Sequence, residues 1–139
     1  MGIKSYRDLI AWQKSMDLVV LIYAISQHFP DQERYGLINQ IRRAVVSISA
    51  NIAEGHGRIH TGDYVRFLSI ARGSLMEVET LLLIAQRLDF VTATQLADTW
   101  SLIEETGRLL NGLIRSIRTT IHEDTTEYSM NPDQDQPDP

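Results

Sequence analysis

Residues 64–85 read YVRFLSIARGSLMEVETLLLIA, and within them Tyr64, Leu68, Ala71, Leu75, Val78, Leu82 and Ala85 follow one another at alternating steps of four and three. Steps of three and four keep side chains on one face of an α-helix, whereas a half-buried strand would alternate every second residue. The stretch therefore predicts a long amphipathic helix, with Thr61 just ahead of it as the expected N-cap. Working back through the loop GHGRIHTG, the residues Leu37, Ile41, Ala44, Ile48 and Ile52 make a second helical stripe, closed by a glycine stop at Gly55-His56-Gly57. Val45 to Ser49 (VVSIS) also reads as a strand by alternation and β-branching, but one short strand finds no partner elsewhere in the chain. Further back, Leu9, Trp12, Met16, Val19 and Tyr23 form the first stripe, and Pro30 ends it by forbidding helical backbone at Phe29. Forward of residue 85, Thr92 and Gln95 make a capping box for a fourth helix, whose stripe is Leu96, Trp100, Ile103, Gly107, Leu110, Ile114, Ile117 and Ile121. Short connections between long helices favour antiparallel neighbours, so the predicted fold is all-α, an up-down-up-down four-helix bundle.

The bundle domain is expected over residues 1–122. The remainder, residues 123–139, reads EDTTEYSMNPDQDQPDP, an acidic segment with three prolines that buries too little to repay its ordering entropy and is expected to be mobile. It holds six carboxylates and no Lys or Arg, so the net charge of −5 conceals a body with 13 basic against 12 acidic residues, net +1. With 139 residues and 43% of them apolar, one domain with a real core is what the chain can form. Cysteine is absent, which removes disulfides, thiol catalysis and thiolate metal sites. The longest apolar run, Leu18 to Ile25, falls far short of the roughly 20 residues that span a bilayer. Lys4, Arg7, Asp8, Lys14 and Asp17 are scattered through the N-terminus, which is not the layout of a secretory signal; no membrane association and a cytoplasmic location are expected.

One feature exceeds what a monomer needs. From Met16 to Ile25 every residue except Asp17 is apolar, and Leu81 to Ala85 (LLLIA) repeats this in the third helix. Helices apolar nearly all round require either a central position or a neighbouring subunit, so self-association is expected.

Chemistry is sparse. Carboxylate-bridged metal pairs in bundles need Glu-x-x-His at i, i+3; Glu54 and His56 stand two apart, and Glu104 and Glu105 have no histidine near them. No nucleophile elbow or phosphate loop occurs, so no catalytic residue, metal or cofactor is assigned. Arg115 and His122 are spaced like the Arg-x(4–6)-His motif of HEPN-type RNases, which gives an alternative reading as an RNase, although favourable interaction with a helix C-terminus would also account for Arg115 and Arg118. Opposite the second apolar stripe, Gln40, Arg43, Ser47, Asn51 and Glu54 make a polar face. With Arg42, Arg43, Arg58, Arg66 and Arg72 it offers a five-arginine surface suited to the phosphates of RNA, because guanidinium donates bidentately and stays charged. His60 and Tyr64 nearby carry rings that stack on bases, though Tyr64 fits the core stripe better. The alternative is that these arginines pair internally with Glu54, Asp63, Glu77 and Glu79, leaving a protein–protein interaction scaffold without nucleic acid.

Several ordered segments carry a resemblance: residues 8–13 (DLIAWQ), Phe29-Pro30 through Arg34-Tyr35-Gly36-Leu37, Gln40 to Ile48 (QIRRAVVSI), Asn51 to Gly55 with Gly57-Arg58, then Phe67-Leu68, Ile70-Ala71, Gly73-Ser74-Leu75 with Glu77 and Glu79, and Leu109 to Ile114 (LLNGLI). They resemble the four-helix bundle proteins encoded within 23S ribosomal RNA intervening sequences. The resemblance implies a cytoplasmic subunit, without established enzyme activity, that assembles as a ring-like homopentamer. It also implies a similarity of fold to the accessory protein of diversity-generating retroelements, which binds nucleic acid and a partner reverse transcriptase through a basic pentameric barrel. The expected partners are therefore the chain itself and RNA or a nucleic-acid-associated protein. Two departures stand out. Where the family often reads Ile-Pro-Ser-Asn this chain has Ile48-Ser49-Ala50-Asn51, and the acidic segment after residue 122 is an addition, expected to fold over the arginines and compete with RNA.

Overall fold

The computed structural model describes residues 2–129, with side chains through His122. Four helices run in order: α1 (Ile10–Ser26), α2 (Leu37–His56), α3 (Thr61–Arg87) and α4 (Ala93–Ser129), with single 3-10 turns at Tyr6–Asp8 and Asp31–Glu33 and no strand among the described residues. Each helix packs on its sequence neighbour and α4 closes back on α1. Paired residues fix the directions. Ser47 on α2 meets Ser74 on α3 at 2.9 Å, and Gly55, eight residues later, meets Phe67, seven residues earlier. Ser15 and Ser26 of α1 face Ser49 and Arg42 of α2, Arg72 of α3 faces Asn111 of α4 while Leu75, three residues later, faces Gly107, four residues earlier, and Lys14 reaches Glu105. Neighbours are antiparallel throughout, as short connections require.

Three of the four predicted stripes form the core. Ile41, Ile48 and Ile52 of α2, Leu68, Val78 and Leu82 of α3, and Leu96, Ile103 and Leu110 of α4 are among its largest fully buried side chains, each contributing about 1.5–3 kcal/mol by leaving water. Val45, part of the rival strand reading, is buried within α2.

The stripe on α1 is corrected. Leu9, just ahead of α1, is buried as expected and Trp12 and Val19 pack half-buried against the core, but Met16 and Tyr23 face outward, and the buried residues of α1 itself are Ala11, Ser15, Leu18, Ile22 and Ser26. Both sets have helical spacing, and on a helix apolar nearly all round the period alone does not select the face. Hydrogen bonds make the serine-containing face tolerable in the core: Ser15 Oγ donates to the Trp12 carbonyl at 2.7 Å and shares a bond with Ser49 Oγ at 2.8 Å, while Ser26 Oγ accepts from Arg42 Nε at 2.9 Å.

Helix ends differ in detail from expectation. The Thr92 box is present, with Thr92 Oγ1 accepting from the Gln95 amide at 3.2 Å and Gln95 Oε1 from the Thr92 amide at 2.9 Å. Thr61 is not the N-cap of α3: it is the first helical residue, and His60, with extended backbone, holds the cap position without a side-chain bond. Gly57 caps α2 in right-handed backbone, so the stop there does not use glycine's left-handed freedom. The one described residue at positive φ is Asp89 (61°), in the turn after α3, where the Phe90 amide reaches back to the Ala85 carbonyl at 2.9 Å. Finally, α4 does not stop near residue 122 but continues to Ser129, so the helical backbone takes in the first part of the acidic segment. Residues 130–139, on which the rest of the mobile-tail expectation falls, lie outside the described residues.

Candidate functional site

The five arginines proposed as one surface sit in four surroundings. Arg42 is a structural link between helices: its Nε donates to Ser26 Oγ, its Nη2 donates to the Tyr23 carbonyl at 3.3 Å, and its guanidinium lies 4.5 Å from the Tyr23 ring centroid. Arg43, next in sequence and about 100° further round α2, lines a shallow hollow with Asn39, Gln40, Ser47 and Glu77. Arg58 and Arg66 are brought together over Phe67, at 4.6 and 5.1 Å from its ring centroid, and Arg58 also pairs with Glu54 at 2.8 Å. Arg72 stands apart, about 120° round α3 from Arg66, where its Nη1 donates to Asn111 Oδ1 of α4 at 3.2 Å.

Internal neutralisation covers little of this set. The described residues hold three ion pairs, Lys14–Glu105, Arg58–Glu54 and Arg108–Glu104, so of the four expected acidic partners only Glu54 engages an arginine. The middle of the α2 polar face is a seam instead: Ser47 Oγ bonds Ser74 Oγ on α3, and Asn51 Nδ2 donates to Ser47 Oγ and to its carbonyl.

A cleft between α3 and α4 gathers Arg72, Asn111, Arg115, Arg118 and His122 around a floor that includes buried Ile114. Arg115 and His122 do line one site, then, and they share it with two further arginines. The explanation of Arg115 and Arg118 by a helix C-terminus is corrected, because α4 runs to Ser129 and leaves them about four and three turns from its end, whereas the dipole acts within the last turn. The sequence held a usable signal: Asn111, Arg115, Arg118 and His122 are spaced four, three and four, a polar stripe on one face of α4.

α1 and α2 also leave apolar groups exposed. Met16 (40% exposed), Val20 (69%) and Tyr23 (43%) run along α1, and beside them Trp12, Val19 and Ala50 border a groove reaching Val46 of α2 (43%). Leu83 and Ile84 of the LLLIA run are exposed as well.

Near the α2–α3 connection Tyr64 makes an edge contact with His56 (centroids 5.8 Å), and its hydroxyl is buried with no hydrogen-bond partner among the described residues. Burial pushes the phenol above its ordinary value of 10.0. The unfolded chain ionises this tyrosine first, so its contribution is present below pH ~10 and is lost as pH rises above it. Tyr64→Phe is expected to raise stability by about 1 kcal/mol at neutral pH, since it deletes an unsatisfied polar atom, and to flatten the decline at alkaline pH. Urea melts at pH ~8 and ~10.5 check both effects.

Residues 7–112 match the 23S rRNA-intervening sequence protein family. The chain belongs to that family. As a member of the 23S rRNA-intervening sequence proteins it is similar to a crystal structure, at 1.70 Å, of a protein of unknown function from the S23 ribosomal protein family of Bacteroides thetaiotaomicron. The two are 26% identical with a TM-score of 0.70, over 76% of this chain and 98% of that one. No curated protein matches the chain. The family match ends at Gly112, so Arg115, Arg118 and His122 lie beyond it. Among the described residues no helix is long and apolar enough to cross a membrane, and no three His, Asp or Glu side chains gather as metal ligands.

Proposed function

We propose that this 23S rRNA-intervening sequence protein is a non-enzymatic, cytoplasmic, homo-oligomeric subunit, pentameric as the family resemblance implies, that serves as an RNA or ribonucleoprotein accessory. The observation that carries self-association is the uncovered apolar face of Met16, Val20, Tyr23 and Val46, whose natural occupant is a second copy of the chain. Arginines without carboxylate partners, Arg43, Arg66 and Arg72, then remain available for phosphate, with Arg58 shared between Glu54 and the Phe67 ring. Light scattering tests the assembly. The protein at micromolar concentration is expected at several times 15.8 kDa, and Met16→Lys/Val20→Lys at the monomer mass; a monomeric parent protein overturns the reading. Fluorescence anisotropy with single-stranded RNA at about 50 and 200 mM salt tests the partner, because each phosphate contact adds about −0.7 to the slope of log affinity against log salt, while apolar docking adds none. Salt-insensitive docking of a protein and no RNA binding would favour the scaffold.

The competing RNase reading is favoured by one observation, that Arg115 and His122 line the same cleft. It predicts cleavage products that Arg115→Ala or His122→Ala abolishes. The binding reading predicts RNA recovered intact.

A further inference from the structure

We infer that the cleft between α3 and α4 is an oxyanion site that takes a phosphate or pyrophosphate group, either free or carried by RNA, between Arg72 on one wall and Arg115 and Arg118 on the other. The inference goes beyond the RNA-accessory reading, since Arg115 and Arg118 lie outside its five-arginine surface and a free anion would fill the cleft without RNA.

Four observations converge on it. First, the cleft is an open depression of about 720 Å³, roomy enough for a diphosphate, and no carboxylate lines it among the described residues. Second, none of Arg72, Arg115 and Arg118 has an acidic partner within ion-pair distance among those residues, although Arg108, about two to three turns earlier on α4, pairs with Glu104. Third, Arg72 is half-buried and held by Asn111, so one guanidinium is positioned in advance and loses little freedom on binding. Fourth, the helix-end interaction that would otherwise account for Arg115 and Arg118 is removed by the continuation of α4 to Ser129.

The physical consequence is direct. Three like charges facing one space repel, and an anion bound across both walls converts that repulsion into attraction. Guanidinium is the group suited to the task, because each planar fork donates two parallel hydrogen bonds to phosphoryl oxygens. Ile114 beneath them excludes water from one side and strengthens those bonds.

Calorimetric titration of the full chain with inorganic pyrophosphate, in parallel with anisotropy on a single-stranded RNA, tests the site. Arg115 and Arg118 are exposed, so Arg115→Ala/Arg118→Ala is expected to keep the parent melting temperature. It should lose pyrophosphate affinity at least tenfold, and where RNA binds its salt slope should become shallower by about 1.4. Arg115→Lys/Arg118→Lys should recover part of the loss, because charge returns without the fork. Arg34→Ala/Arg87→Ala, which removes two exposed arginines outside every phosphate-facing set, should leave pyrophosphate affinity within about twofold. Pyrophosphate binding without RNA binding would uphold the cleft and remove the RNA reading. Pyrophosphate affinity unchanged by Arg115→Ala/Arg118→Ala, or no binding by the parent chain at millimolar pyrophosphate, overturns the cleft even where RNA binding through Arg58 and Arg66 persists.

Discussion

Gly55→Val is expected to destabilise the protein by about 3 kcal/mol, measured as a shift in urea midpoint at unchanged slope. Gly55 lies buried in the last turn of α2 against the start of α3, and a Cβ there would stand 2.7 Å from Phe67 Cβ, 3.1 Å from Tyr64 Cδ2 and 3.3 Å from the Tyr64 carbonyl oxygen. The first contact is closer than real Cβ atoms approach. Relief is difficult, because a Cβ is fixed to its backbone and the carbonyl belongs to α3 itself, so both can retreat only if the helices move apart. Alanine makes the sharper control. In an exposed helix interior Gly→Ala gains about 1 kcal/mol; here the clash should reverse the sign and leave a net loss of about 1–2 kcal/mol. A stabilised Gly55→Ala would mean that α2 and α3 do not approach this closely. The site above the contact should respond too, since Arg58 and Arg66 both rest on the Phe67 ring that valine would displace.

Gly55 also marks where sequence reading reaches its limit. Its place at the end of a helix was legible, but its reason was not: glycine at a helix end suggests left-handed backbone, whereas this one is needed for close approach, a relation between two helices that no single stripe contains. The core of α2, α3 and α4 was legible because each carries one apolar stripe that the period selects over most of its length, the all-round run on α3 being confined to residues 81–85. On α1 the same period fits several faces, and the buried one holds two serines whose partners, Ser49 and Arg42, lie on another helix.

The arginines divide for a related reason. Arg42 and Arg43 are adjacent in sequence yet about 100° apart on α2, so one braces α1 while the other lines a hollow beside Glu77. Arg58 and Arg66 converge because Phe67 offers both a ring. Arg72 and Arg115, 43 positions apart, share a cleft only because α3 and α4 are antiparallel. A count of arginines carries none of this, whereas the four-three-four spacing on α4 carries half of it: one wall of the cleft, but not the wall it faces.

Ser49→Pro, which restores the residue the family often has after Ile48, is expected to cost about 4 kcal/mol in this chain. Ser49 sits well inside α2, where its amide bonds the carbonyl four residues back; proline removes that donor and sets its ring against the same carbonyl, about 3 kcal/mol. The remainder, about 1 kcal/mol, is the lost Ser15–Ser49 hydrogen bond, after which Ser15 keeps only its bond to the Trp12 carbonyl. Ser49→Ala removes only that second part and should cost about 1 kcal/mol, so the difference between the two variants isolates the backbone effect. A loss near 4 kcal/mol is a large share of the 5–15 kcal/mol that holds a typical domain together, and it would show that α2 here has been refitted around an unbroken helix with a buried serine pair joining it to α1. Equal costs for proline and alanine would mean that α2 bends at Ser49 without resistance. In that case the serine pair is an ornament on a bend the fold already permits, and the apolar groove beside it, bordered by Ser49 and Ala50, would be free to change shape when a second subunit covers it.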